Sequence, residues 1–144
     1  MSKRLFTASR VVPAAPEEIF ALLADPARHA EIDGSGTLQR LIAGQGSMKL
    51  GSEFRIAMKA NGIPYRVTNK VVEYEENRLI AWSHFVKNRW RYELEPVEGG
   101  TRVTESADYR DLRFPRLTML LIKEELIEDS IATTLDNLVK RFSS

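Results

Sequence analysis

The sequence predicts an α+β domain: a curved antiparallel sheet of about seven strands wrapped around a long C-terminal helix, with two short helices after the first strand. Three observations predict it. The middle of the chain is a run of β-rich, alternating segments separated by short turn signals. Beyond Pro115 there is no glycine or proline, and apolar residues recur at steps of three and four. Two helix-start signals, Pro16 and Asp25-Pro26, follow the first β-rich segment.

Arg4 to Val12 suits a strand, which Pro13-Ala14-Ala15-Pro16 stops. Pro16 fits a first helical position, and Glu17 and Glu18 sit where the helix dipole favours negative charge. Ile19, Phe20, Leu22 and Leu23 then give a short amphipathic helix. Asp25 caps a second short helix that begins at Pro26 and runs to about Glu31. The glycine-rich zone from Gly34 to Gly51 reads as loops around a short strand, Thr37 to Ala43.

Glu53 to Lys59 alternates, with Phe54, Ile56 and Met58 on one face. Asn61-Gly62 is a tight-turn signal before a long strand, Ile63 to Tyr74. Leu79 to Phe85 and Asn88 to Glu95 form the next hairpin around Val86-Lys87, and Thr101 to Tyr109 closes the series. Sequential strands with short turns imply a meander. In the last segment Leu117, Leu120, Leu121, Ile127, Ile131, Leu135, Leu138 and Phe142 form a stripe on one helix about 40 Å long, enough to cross the whole sheet. A sheet with one apolar face needs a cover, and a sheet that curves around one helix leaves a cavity.

With 43% hydrophobic and 28% charged residues, the 144-residue chain reads as one globular domain spanning 1–144 rather than as a disordered segment. A net charge of +1 gives no electrostatic case for nucleic acid as a partner. The absence of cysteine removes disulfides, thiolate nucleophiles and thiolate metal sites. The longest apolar run, Leu117 to Ile122, falls far short of the ~20 residues that span a bilayer, so no integral membrane segment is expected. No apolar stretch follows the basic N-terminus, which makes a cytoplasmic protein the default expectation.

The stretch VVPAAPEEIFALLADPARHAEIDGSG, Val11 to Gly36, resembles the N-terminal signature of the polyketide cyclase/dehydrase and lipid-transport superfamily, which includes START domains and the birch-pollen allergen fold. YEENRLIAW, Tyr74 to Trp82, and NRWRYELEPVEGGTRVTESADY, Asn88 to Tyr109, are similar to the same superfamily, in the same order. The resemblance covers nearly the whole chain and implies the helix-grip fold. Its members bind lipids, sterols, polyketides or hormones, cyclise aromatic intermediates, or assist chaperones and quinone carriers, so it implies no single function. The chaperone-activating branch often carries a Gly-Trp pair ahead of the last helix. This chain has Asp111, Leu112, Arg113, Phe114 and Pro115 there, which weighs against that branch.

Alternation puts Ile80, Trp82 and His84 on one face, Trp90, Tyr92 and Leu94 on the next strand's face, and Val103, Glu105, Ala107 and Tyr109 on the last. If all three sets point inward they build either the wall of a small-molecule cavity or a solid aromatic core. Glu105, flanked by Val103 and Ala107, is a desolvated general acid/base candidate or else a partner of Arg66, Arg89 or Arg91. His84 is a proton-shuttle candidate or an exposed hairpin histidine. Tyr92 is the third group that could move a proton. Trp82, Trp90 and Tyr109 are expected ligand contacts. Asp33, in Asp33-Gly34-Ser35-Gly36, either lines the mouth or holds a turn. His29 follows Arg28 in what reads as a polar patch. No second ligand stands at metal-binding spacing from either histidine, so neither a metal nor another cofactor is expected. The stretch around Leu120, apolar on several sides, reads as a ligand gate, a homodimer contact or plain core.

The leading expectation is a protein that holds a small hydrophobic ligand, aromatic or polyketide-like, with cyclase- or dehydratase-type chemistry if it is an enzyme. The alternative is a non-catalytic interaction or lipid-delivery module that uses the apolar start of the C-terminal helix.

Overall fold

The computed structural model describes residues 4–44, 46–60, 62–84, 87–121 and 124–143, with the side chains of Ala60, Met119, Leu120 and Leu121 outside the described set. The strands are β1 (Leu5–Val12), β2 (Leu38–Ala43), β3 (Glu53–Ala60), β4 (Ile63–Glu75), β5 (Leu79–Ser83), β6 (Arg89–Val97) and β7 (Gly100–Asp108). They form one antiparallel sheet in the order β1-β7-β6-β5-β4-β3-β2. Strands β2 to β7 are therefore a meander, and β1 closes onto β7, with Ala8 opposite Glu105.

Helix α1 (Pro16–Leu23) starts at its proline with Glu17 and Glu18 in the first turn, and buries Ile19, Phe20, Leu22 and Leu23. The second start signal opens a 3₁₀ turn, Pro26–Glu31, where Asp25 Oδ1 accepts from the Ala27 N–H at 3.1 Å. Six residues are too few for a stable α-helix, and the tighter turn satisfies the chain over that distance. The turns named for Asn61-Gly62 and Val86-Lys87 rest partly on Asn61, Phe85 and Val86, which lie outside the described residues.

The C-terminal segment is described as α2 (Pro115–Leu121) and α3 (Glu124–Phe142), with residues 122–123 between them outside the described set. In α3, Ile127, Ile131, Leu135 and Leu138 are buried, as the three-four spacing predicts. Leu117 is a correction: it was expected on the buried stripe and is 60% exposed. At about 1.5 Å per residue α3 alone reaches about 28 Å, and among the described residues it packs chiefly on β1 and β7. Phe6, Val12, Ile80, Leu94, Val103, Leu135 and Leu138 make the solid part of the core on that side. The concave face of β3 to β6 is left with less cover, and that is where the cavity lies.

Strand register decides which side chains reach it. β5, β6 and β7 pair without interruption, with Trp82 opposite Trp90, Ile80 opposite Tyr92 and Tyr92 opposite Glu105. Period-two alternation therefore holds across all three strands. The β4–β5 pairing carries a register shift between Val71 and Glu73. Beyond that bulge β4 turns Glu73 outward, where Arg89 and Arg91 hold it at 2.8 and 2.7 Å.

Candidate functional site

A cavity of about 420 Å³ opens between the sheet, the 3₁₀ turn and α3. That volume lies within the range of small-molecule sites. Its floor is the inward row of the strands: Phe54, Ile56 and Met58 from β3, then Tyr65, Val67 and Asn69 from β4. Trp82 and His84, Trp90 and Tyr92, Glu105, and finally Tyr109 complete that row. Ser130 and Thr134, one turn apart on α3, close it from above. Tyr65, 41% exposed, and the exposed Ser35 mark where the cavity meets solvent.

Glu105 is fully buried on β7. Its Oε2 accepts from the Trp90 indole N–H at 2.7 Å, while its Oε1 has no hydrogen-bond partner among the described residues. No ion pair to Glu105 exists among those residues. Arg89 and Arg91, weighed as its partners, hold Glu73 on the outer face, and Arg66 is exposed. Burial pushes the Glu105 carboxyl up to about 8, against the hydrogen bond from Trp90 and the nearby Tyr92 hydroxyl, both of which favour the anion. At neutral pH Glu105 is therefore mostly an uncharged acid. Burial and the neighbouring Glu105 carboxyl drive the Tyr92 phenol well above its ordinary range.

His84 lines the cavity half-buried, and burial holds its imidazole below the usual range. It is not the exposed hairpin histidine weighed above. Asp33 fills both roles: it lines the cavity, and its carboxylate accepts from the Ser35 N–H at 3.2 Å and the Gly36 N–H at 3.2 Å, holding the turn. The side chain of Leu120 lies outside the described residues.

His29 is the second correction. It stands in no polar patch but is buried in the cavity wall, stacked on Trp82 with ring centroids 4.8 Å apart and 20° between the planes. Its Nε2–H donates to the Leu23 carbonyl at 2.8 Å. Burial keeps the imidazole neutral by lowering its pKa, more than that backbone bond and the charges of Asp25 and Asp33 raise it. Asn88 was missed as well. It is buried, it lines the cavity, and its Oδ1 has no partner among the described residues. Alternation with Trp90 and Tyr92 carried that signal. Ser130 and Thr134 were missed too, and the signal that could have found them is two small polar residues inside the apolar stripe of α3.

The loop between the 3₁₀ turn and β2 is fastened to α3. The Gly34 N–H donates to Thr134 Oγ1 at 2.9 Å, and a Cβ at Gly34 would come within 2.6 Å of Ser130 O and Thr134 N. Only glycine permits so close an approach.

A family model described as polyketide cyclase / dehydrase and lipid transport matches residues 3–143. An uncharacterized protein of Mycobacterium tuberculosis (strain H37Rv) is 46% identical over 99 residues, which are 68% of this chain and 44% of that protein. The chain thus spans less than half the length of the curated relatives it matches. Among solved structures, a protein from Chromobacterium violaceum superposes with a TM-score of 0.78 at 15% identity, covering 99% of both chains. The ginseng major latex-like protein 151 from Panax ginseng superposes with a TM-score of 0.72 at 12% identity, covering 97% of both. At these identities the two structures share the fold alone. No helix among the described residues is long and apolar enough to cross a membrane.

Proposed function

The chain belongs to the polyketide cyclase / dehydrase and lipid transport family, and from that premise we propose that it takes up a small, hydrophobic, aromatic or polyketide-like metabolite in the cavity, where Glu105 is the group that moves a proton. One observation carries the reading: a fully buried carboxyl in an aromatic wall, with one oxygen fixed by Trp90 and the other unpaired. An acid held near neutral protonation is suited to general catalysis.

In its enzymatic form the chemistry is aldol closure and dehydration within one bound chain. A base removes a proton from carbon, and the resulting enolate carbon bonds to a carbonyl carbon. The carbonyl oxygen takes the proton of Glu105 and becomes a hydroxyl. Return of the first proton from the base to Glu105 resets both groups, and loss of the hydroxyl as water then takes one proton from Glu105 and delivers one from the adjacent carbon to the base. His84, neutral and in the same wall, is the candidate base. The cavity supplies the fold of the chain, which brings the reacting carbons together.

Native mass spectrometry of the protein purified from its own host tests uptake. A co-purifying small molecule of defined mass supports it. A clean protein mass, together with no change in the closure rate of added polyketones, overturns it. The second reading, an interaction or lipid-delivery module, is favoured by Leu117 and Leu126, 60% and 63% exposed on the last two helices. Retention of a partner without any cavity ligand would favour it.

A further inference from the structure

Resting on the reading of the cavity as a site for a small aromatic molecule, we infer that it selects an uncharged ligand bearing a hydrogen-bond-accepting oxygen, of the aryl ketone kind, seated on Oε1 of Glu105, and excludes carboxylates and phosphates. The charge inventory carries the exclusion. Among the described residues no lysine or arginine lines the cavity. Arginines of the same strands face outward on Glu73, and Arg110 holds Asp108 at 2.8 Å. An anionic headgroup would be stripped of water with no cation to meet it, in a cavity that already carries the Asp33 carboxylate.

The orphaned oxygen carries the preference. A neutral carboxyl has one proton, and Oε2 already accepts from Trp90, so the proton resides on Oε1 and makes that atom a donor. A buried donor in an aromatic wall is satisfied when the ligand supplies an acceptor. The titratable groups sharing the cavity are His29, Asp33, Tyr65, His84, Tyr92 and Tyr109, while β1 faces Glu105 with Ala8 and α3 contributes Ser130 and Thr134. None of these is a permanent cation. Burial holds both imidazoles below their usual range, so they are neutral from pH 7 upward. The acceptor preference therefore persists while Glu105 is protonated and fades as pH rises past about 8.

Equilibrium dialysis of the purified chain against four probes on one skeleton tests this: naphthalene, 2-acetylnaphthalene, 2-naphthoate and 2-naphthylmethylamine. The ketone is expected to bind at pH 7 on the order of tenfold more tightly than naphthalene and the carboxylate, the factor of one satisfied hydrogen bond. At pH 9.5 its advantage over naphthalene disappears. Glu105→Gln, which keeps a donor, retains the preference and loses its pH dependence. Glu105→Leu loses the preference itself. Equal or tighter binding of the carboxylate or the amine overturns the inference, as does a ketone that gains nothing over naphthalene. Either result leaves the cavity reading standing. No binding by any of the four overturns both.

Discussion

The indole N–H of Trp90 donates to Glu105 Oε2 across 2.7 Å, from one strand to its neighbour, and leaves Oε1 bare. The two residues are diagonal in the β6–β7 register, since Trp90 faces Ala107 and Glu105 faces Tyr92. A cross-strand diagonal lies within reach of long side chains. One bond thus orients a carboxyl that burial keeps protonated, and it leaves the second oxygen without a partner among the described residues.

The fold should weaken between about pH 6.5 and pH 8. Glu105 titrates near 4.5 unfolded and about 8 folded, so the unfolded chain releases its proton first and stability falls with rising pH across that interval. Below 6.5 the buried His29 opposes this, because its folded pKa is depressed and acid protonates the unfolded chain preferentially. Above 6.5 the two histidines still offset part of the Glu105 slope until the unfolded chain has lost their protons by about pH 7.5, and the net decline to pH 8 is on the order of 1 kcal/mol. Denaturant midpoints over pH 5 to 9 check it. Glu105→Gln should flatten the decline, and an unchanged slope in that variant would refute the assignment.

Trp90→Phe should push the Glu105 titration higher. The hydrogen bond from the indole favours the anion, so its loss leaves burial less opposed. The variant also leaves Oε2 unpaired, at about 1–3 kcal/mol of stability. Carbon-13 chemical shifts of the Glu105 carboxyl followed against pH would show the displacement. A downward shift would contradict it.

His29 should tolerate an aromatic replacement far better than a small one. Its ring stacks on Trp82 and meets Phe54 edge-on at 5.6 Å, and its Nε2–H satisfies the Leu23 carbonyl. His29→Phe keeps the ring and loses one hydrogen bond, about 1 kcal/mol. His29→Ala also empties the wall and should cost roughly 2–5 kcal/mol. Urea unfolding of the two variants gives the comparison.

Strand alternation made the inward rows of β5, β6 and β7 readable, because no bulge interrupts their pairing and a period of two then propagates from residue to residue. His29 was unreadable for the opposite reason. Its neighbours Arg28 and Glu31 are polar, and only the crossing of the 3₁₀ turn over Trp82 takes the imidazole out of water. Apolar periodicity reports which face of a helix is buried and not what it is buried against. The stripe of α3 packs chiefly on β1 and β7, while Ser130 and Thr134 of the same helix stand over the cavity. Whether Glu105 was paired or bare could not be settled from spacing either. Arg89 and Arg91 flank Trp90 on the same strand, and only their opposite facing gives them to Glu73.

Gly34 and Gly36 should respond differently to alanine. At Gly34 the new Cβ meets backbone atoms of Ser130 and Thr134, which cannot move aside without shifting α3. Overpacking of that kind costs about 1–3 kcal/mol and would lift the Asp33 loop from the cavity roof. At Gly36 nothing lies near, and only the positive φ of 72° is strained, about 1 kcal/mol. Thermal unfolding ranks the pair. Gly36→Ala proving the more damaging would mean the loop is not braced on the helix.

Leu117→Ser and Leu126→Ser should leave stability within about 0.5 kcal/mol, since both side chains are already mostly in solvent. Neither lines the cavity, so affinity for an aryl ketone should also be unchanged. The pair separates the two functional readings. A ligand-holding role located in the cavity survives both substitutions, whereas a docking role located on α2 and α3 is lost with them. Sedimentation velocity of the double variant, beside its ketone affinity, reads both at once: loss of an assembly with ligand binding intact assigns the exposed leucines to a contact between molecules, and loss of ligand binding would show that the helix start governs access to the cavity.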